Sequence, residues 1–145
     1  MITVKFKKLR EGFELPKKSF DTDACFDVKI LDLEINMLGD KCTCYLGFST
    51  EIPEGWKGVI VPRSSLTKEY WAMLNSPGQI DSSYRGEWQM RLTYVGDSKF
   101  LNFPFKIGDR IAQIYFEKVN EIHLILVDKL SDSERSNGGF GHTGN

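Results

Sequence analysis

The chain has 145 residues and a mass of 16.6 kDa, enough for one hydrophobic core and short for two domains. Lys plus Arg number 19 against 20 Asp plus Glu, a formal charge of −1, so no basic excess is available to coat DNA or RNA. Apolar residues make up 41%, too many for a disordered chain, and the longest apolar run, at about 122–127, is far below a membrane span.

The N-terminus lacks the charged-then-apolar pattern of a signal peptide. The three cysteines, Cys25, Cys42 and Cys44, read as reduced thiols, and with only two histidines a Cys/His zinc site is excluded. These features imply a soluble, cytoplasmic protein.

Taken in chain order, the dominant hydrophobic period is two. A strand is expected at 2–6 and another at 26–30, where Phe26, Val28 and Ile30 alternate with Asp27 and Lys29. The apolar phase then moves to Leu31, Leu33, Ile35 and Met37, which predicts a bulge or bend near 30–31. Alternation resumes from Cys42 to Ile52. Further strands are expected at 57–61, 88–94, 111–117 and 122–127. One segment follows helical spacing: Leu66, Tyr70, Met73 and Leu74, with Ser64 or Ser65 placed to cap, predict a short helix at about 65–74. It stops at Asn75-Ser76-Pro77-Gly78. Many short strands punctuated by turns indicate an all-β barrel or sandwich over 1–130. Residues 131–145 hold four Gly and almost no apolar side chains except Phe140, the composition of a flexible tail.

Four segments could carry chemistry. The tail from Arg135 to Gly144 combines a cation, a Gly-rich backbone that can turn successive N–H groups toward an anion, hydroxyls and one aromatic able to stack on a base. It is not a Walker loop, and its bland reading is a floppy terminus. Pro62-Arg63-Ser64-Ser65 opens the expected helix as an anion site would, although serines commonly serve only as caps. Between Gly78 and Glu87 lie Asp81 and Tyr84, and a carboxylate beside a phosphate site can act as general base on water. The plain alternative is a turn with a surface Asp. Asp27 and Gln113 sit on polar strand positions, where most side chains are simply solvated.

Together and in order, these segments resemble the five sequence motifs of the trimeric dUTP pyrophosphatases (dUTPases). The segments are Ala24 to Val28, Pro62 to Thr67, Asn75 to Glu87, Gly108 to Gln113, and Arg135 to Gly144. The resemblance implies a jelly-roll-like β-barrel in a homotrimer with sites shared between chains. It implies hydrolysis of dUTP to dUMP and pyrophosphate with Mg²⁺ on the triphosphate, an activity that limits uracil incorporation into DNA and supplies dUMP for thymidylate synthesis. By resemblance, Asp81 activates the attacking water and contacts the 3′-OH, and Tyr84 packs on the deoxyribose. Asn75 and the backbone of Gly78, Gln79 and Ile80 line the uracil pocket. Arg63, Ser64, Ser65 and Gln113 bind phosphate oxygens. Asp27 holds Mg²⁺ through water, with Arg110 paired to it. Arg135, Phe140, Gly141, His142 and Thr143 belong to a C-terminal lid, 131–145, that closes over a neighbouring subunit's site.

Cys25 and Ser65 stand where the family often has Gly, Ser83 replaces a frequent Asp, and His142 a frequent Ser. None of these removes Asp81, Tyr84, Arg135 or Phe140. Two competing readings are a dCTP deaminase-like enzyme, disfavoured because those enzymes lack the Arg-plus-Gly-rich tail, and a nucleotide-gated interaction protein. The second would use Phe100-Leu-Asn-Phe-Pro-Phe105 as a surface, against its plainer reading as barrel core or trimer contact. No nucleic-acid or membrane partner is expected, and the sequence gives no support for a regulatory protein partner.

Overall fold

The computed structural model describes residues 1–133 and Ser136. Ten strands form in chain order: β1 Lys5–Lys8, β2 Phe26–Lys29, β3 Asp32–Ile35, β4 Lys41–Tyr45, β5 Phe48–Glu51, β6 Trp56–Pro62, β7 Trp71–Met73, β8 Gly78–Ile80, β9 Gln89–Tyr94 and β10 Arg110–Lys118. They make two four-stranded antiparallel sheets, in the orders β2-β10-β6-β8 and β3-β4-β9-β7, and a two-stranded ribbon of β1 with β5. The inward-facing side chains of the two larger sheets meet in one core. Ile60 and Ile114 come from one sheet, Cys44, Met90 and Leu92 from the other, with Phe48 and Trp88 between them. The alternation that marked β4 and β9 in the sequence is this burial pattern.

The phase shift at Ile30–Leu31 proves to be a change of sheet. The Ile30 N–H donates to the Asp109 carbonyl beside β10, whereas the next N–H, that of Leu31, donates to the Tyr45 carbonyl of β4. The expected continuous strand from Cys42 to Ile52 is likewise divided. Gly47 has φ of +78°, and a Cβ there would run into Leu31, so only glycine fits the corner between β4 and β5.

Three expectations need correction. The helix at 65–74 is a six-residue 3₁₀ helix, Ser64–Glu69, that ends on Tyr70 in the left-handed region. No serine side chain caps it; its N-cap residue is Arg63. Of the apolar residues on the expected face, Leu66 is buried, while Tyr70 and Leu74 are exposed. Trp71 and Met73 bury instead by joining β7 to β9, with Met73 opposite Leu92, so tertiary pairing overrides the helical spacing. Residues 78–80, expected as loop, form the edge strand β8. Residues 122–127, expected as a strand, pair with nothing among the described residues and expose Ile122, Leu124, Ile125 and Leu126. The run is apolar and of strand length, but no strand among the described residues pairs with it.

The Phe-rich stretch divides. Phe103 packs edge-on against Trp71, at 5.1 Å between centroids, and against Phe105. The Trp71 indole donates to the Asn102 carbonyl, and Phe100 stays exposed. Cys42 and Cys44 are buried free thiols on one face of β4, with sulfurs 3.8 Å apart. Among the described residues no helix is long and apolar enough to cross a membrane.

Gly58, in the middle of β6, leaves the space that the Trp88 ring fills; a Cβ there would lie 2.8 Å from Trp88 Cζ2. Gly58→Ala should lower stability by about 1–3 kcal/mol. The check is a urea titration, in which the midpoint should fall with little change in slope.

Candidate active site

Two clusters of polar side chains form at the ends of the β2-β10-β6-β8 sheet. The first surrounds Asp27. This residue faces Gln113 across the β2–β10 ladder, and its side chain is only 6% exposed. A carboxylate so buried must be paired to stay charged. Its Oδ1 accepts from Gln113 Nε2 at 3.1 Å and lies 3.2 Å from Arg63 Nε. Its Oδ2 accepts from Arg110 Nη1 at 3.1 Å and from Ser19 Oγ at 3.4 Å. Arg63 leaves the end of β6 with its N–H on the Ile111 carbonyl and one guanidinium nitrogen on the Arg110 carbonyl. Two arginines and an amide therefore share one anchor. Both guanidinium groups keep partly exposed edges, and Ser64 and Ser65 follow Arg63 directly.

The expected pairing of Arg110 with Asp27 is present. A water-mediated hold of Asp27 on a magnesium ion, the other role expected of it, would share the carboxylate with these contacts. Three hydrogen bonds and the Arg63 ion pair already lie on its two oxygens. In this arrangement Asp27 is the strut of the arginines. No group of three or more His, Cys, Asp or Glu that could hold a metal occurs among the described residues. Neighbouring Cys25 is half-buried; burial, and then the charge of Asp27, push its thiol up, so it stays protonated.

The second cluster is the segment from Asn75 to Glu87. The Asn75 carboxamide mimics a strand residue: Oδ1 accepts from the Arg91 N–H at 2.9 Å, and Nδ2 donates to the Gln89 carbonyl at 3.2 Å. Its side chain thus fixes the start of the loop to β9. Gly78 lies against Ile60 and the Asn75 carbonyl, closer than any residue with a Cβ could. The Gln79 side chain accepts from Lys57 Nζ on the sheet surface, where Lys57 also pairs with Glu117. Past β8, the Tyr84 N–H donates to the Asp81 carbonyl at 3.1 Å and closes a turn that leaves Asp81 exposed. The Arg85 guanidinium ties the Ser82 and Tyr84 carbonyls. The Tyr84 ring, partly exposed, covers Gly86 so closely that no Cβ would fit there.

The two clusters are far apart within one chain. β6 and β8 run antiparallel with Gly58 opposite Ile80 and Ile60 opposite Gly78. Asp81 therefore lies level with Lys57, and Arg63 is about 20 Å further along β6 at the usual strand rise. Asp27, Arg63, Arg110 and Gln113 come together; Asp81 and Tyr84 do not join them. The expected lid residues Arg135, Phe140, Gly141, His142 and Thr143 lie outside the described residues. Ser19 was not foreseen: it reaches Asp27 from an irregular segment, and no spacing rule marks such a donor.

Comparison with known proteins gives this arrangement a family. The dUTPase family model matches residues 11–144, so the chain belongs to the dUTPase family. A deoxyuridine 5′-triphosphate nucleotidohydrolase of Clostridium tetani is 37% identical over 143 residues, spanning 98% of this chain and 97% of that protein. One of Treponema denticola is 36% identical over 142 residues, spanning 96% of each. The G164S mutant of the dUTPase of Staphylococcus bacteriophage 80alpha, solved with dUpNHpp, has the same fold: TM-score 0.82 over 100% of both chains at 22% identity.

Asp27→Ala should separate the arginines and lower stability by about 2 kcal/mol, the low end for a broken buried pair because both guanidinium groups can reach water. Differential scanning calorimetry checks it, and Asp27→Asn, which keeps one acceptor, should lose less.

Proposed function

We propose that the chain hydrolyses dUTP to dUMP and pyrophosphate in sites assembled from several copies. Membership of the dUTPase family makes it a dUTP diphosphatase. The observation that carries the shared-site reading is the separation of the Asp27 cluster from Asp81 along β6. A triphosphate nucleotide cannot touch base-, water- and phosphate-binding groups that sit at opposite ends of one sheet unless a second chain supplies one end. The exposed apolar residues of 122–127 further favour assembly, and the resemblance makes it a homotrimer.

In this reading uracil meets the backbone of Gly78, Gln79 and Ile80, with Asn75 holding the loop. Backbone donors and acceptors fit uracil and leave cytosine unpaired, which discriminates strongly. Tyr84 packs on the deoxyribose and leaves no room for a 2′-OH. Asp81 contacts the 3′-OH and orients a water in line with the α-phosphorus. The water oxygen bonds to phosphorus, the bond to the bridging oxygen breaks, and pyrophosphate leaves. Asp81 takes the proton and returns it to solvent. Arg63, Ser64, Ser65 and Gln113, the first and last held by Asp27, stabilise the charge that spreads over the phosphate oxygens. Magnesium enters on the triphosphate, as part of the substrate. The tail 131–145 acts as a lid, Arg135, His142, Thr143 and the glycines around Gly141 meeting the outer phosphates and Phe140 stacking on uracil. The product dUMP feeds thymidylate synthesis, and removal of dUTP keeps uracil out of DNA.

A pyrophosphate-release assay across dUTP, dCTP, dTTP and UTP with Mg²⁺ should show turnover confined to dUTP. Asp81→Asn should reduce kcat by about 10²-fold or more while dUTP still binds, measured by calorimetry. Normal turnover by that variant would remove Asp81 from the role of base. Mixing inactive Asp81→Asn chains with inactive Arg63→Ala chains after reversible dissociation should restore part of the activity, because some sites then receive one intact half from each parent. No recovery would refute the shared site.

A further inference from the structure

The turn that carries Asp81 and Tyr84 is exposed, and what holds its far end is a part-buried ion-pair network. Glu87 is the last residue before the core: its own side chain is 15% exposed, whereas Trp88 is fully buried. The Glu87 carboxylate receives a two-pronged contact from Arg10, Nε to Oε1 at 2.6 Å and Nη2 to Oε2 at 3.0 Å. Oε1 also accepts the Gly47 N–H at 2.9 Å. Arg10 is itself fixed. Its Nη1 pairs with Asp32, its guanidinium lies 4.5 Å over the Tyr45 ring, and its N–H donates to the Gly47 carbonyl. On the other side, the Tyr84 hydroxyl donates to the Glu87 backbone carbonyl at 3.3 Å. A continuous path of directional contacts runs from the body of the fold, through Arg10 and Glu87, to the Tyr84 ring.

We propose that Arg10 and Glu87 are a positioning pair that sets the orientation of Tyr84, and through it the preference for deoxyribose over ribose nucleotides. The proposal rests on the function given above. Neither residue touches the nucleotide; they act by fixing the carbonyl on which Tyr84 leans. A bidentate guanidinium–carboxylate contact is suited to this because it resists rotation as well as separation. Lysine at position 10 would keep the charge and lose the fork.

The test compares kcat/KM for dUTP and UTP in the wild type, Glu87→Gln and Arg10→Lys. Each variant should lower the dUTP-to-UTP ratio by about tenfold or more, chiefly through faster UTP turnover and weaker dUTP handling. A loss of folded protein alone lowers both activities together and leaves the ratio unchanged, so an unchanged ratio overturns the proposal: burial of Trp88 would then suffice to hold the turn. Hydrogen exchange gives a readout independent of turnover. Amides 82–86 should exchange faster in Glu87→Gln, while those of β6 and β10 keep their protection; unchanged exchange at 82–86 also overturns the proposal. If the wild type turns over no dUTP, the functional reading fails, and the exchange measurement still decides whether the pair fixes the turn.

Discussion

A carboxylate shut away from water sets the terms for this protein. At 6% side-chain exposure the Asp27 carboxylate needs cations and donors to come to it, and they come from three separate stretches of chain. Arg63 arrives from the end of β6, Arg110 and Gln113 from β10, and Ser19 from the segment before β2. The register that places Gln113 opposite Asp27 is therefore also the register that brings the arginines together. Slip β10 by one residue and Gln113 turns to the other face, leaving the charge partly orphaned. The electrostatic need and the sheet alignment select the same arrangement.

In the proposed function this leaves the groups assigned to the phosphates ordered before any ligand arrives. Arginine side chains are rich in rotamers, and ordering them on binding consumes affinity. Here the ordering is done during folding, by a buried partner that faces away from solvent. The outward edges of both guanidinium groups stay partly exposed. The Asp81–Tyr84 turn is built on a different plan. Its own backbone hydrogen bonds close it, and the rest of the protein holds it mainly at its two ends, through the Asn75 carboxamide and the Arg10–Glu87 contact.

Much of this was legible in the sequence because strand periodicity reports burial directly. The alternation around Cys42–Leu46 and Trp88–Tyr94 became core strands, and the displaced phase at Ile30–Leu31 marked a true discontinuity. What it could not report is which sheet each side of the break would join, since that is decided by partners far along the chain. The helix at 65–74 misled for a related reason. Its spacing was satisfied by four apolar residues, yet a strand edge on β9 competed for Trp71 and Met73 and won. Asp27, Arg110 and Gln113 were found as isolated polar positions and family motifs. Their convergence needed the ladder, and Ser19, Arg10 and the structural use of the Asn75 side chain carried no motif at all. The likeness to dUTPases, and not the geometry of one chain, is the source of the role proposed for Asp81; for Asp27 the fold adds the two arginine contacts, of which the likeness implied only that with Arg110.

The bare residues of 122–127 have a consequence for how such a protein behaves when diluted. Ile122, Leu124, Ile125 and Leu126 stand in water in the single chain, so a state that covers them with other copies gains free energy by mass action. Its apparent melting temperature would then rise with protomer concentration, and catalytic competence would fade on dilution even though each barrel kept its fold. Expression level would act as a control on specific activity as well as on total activity.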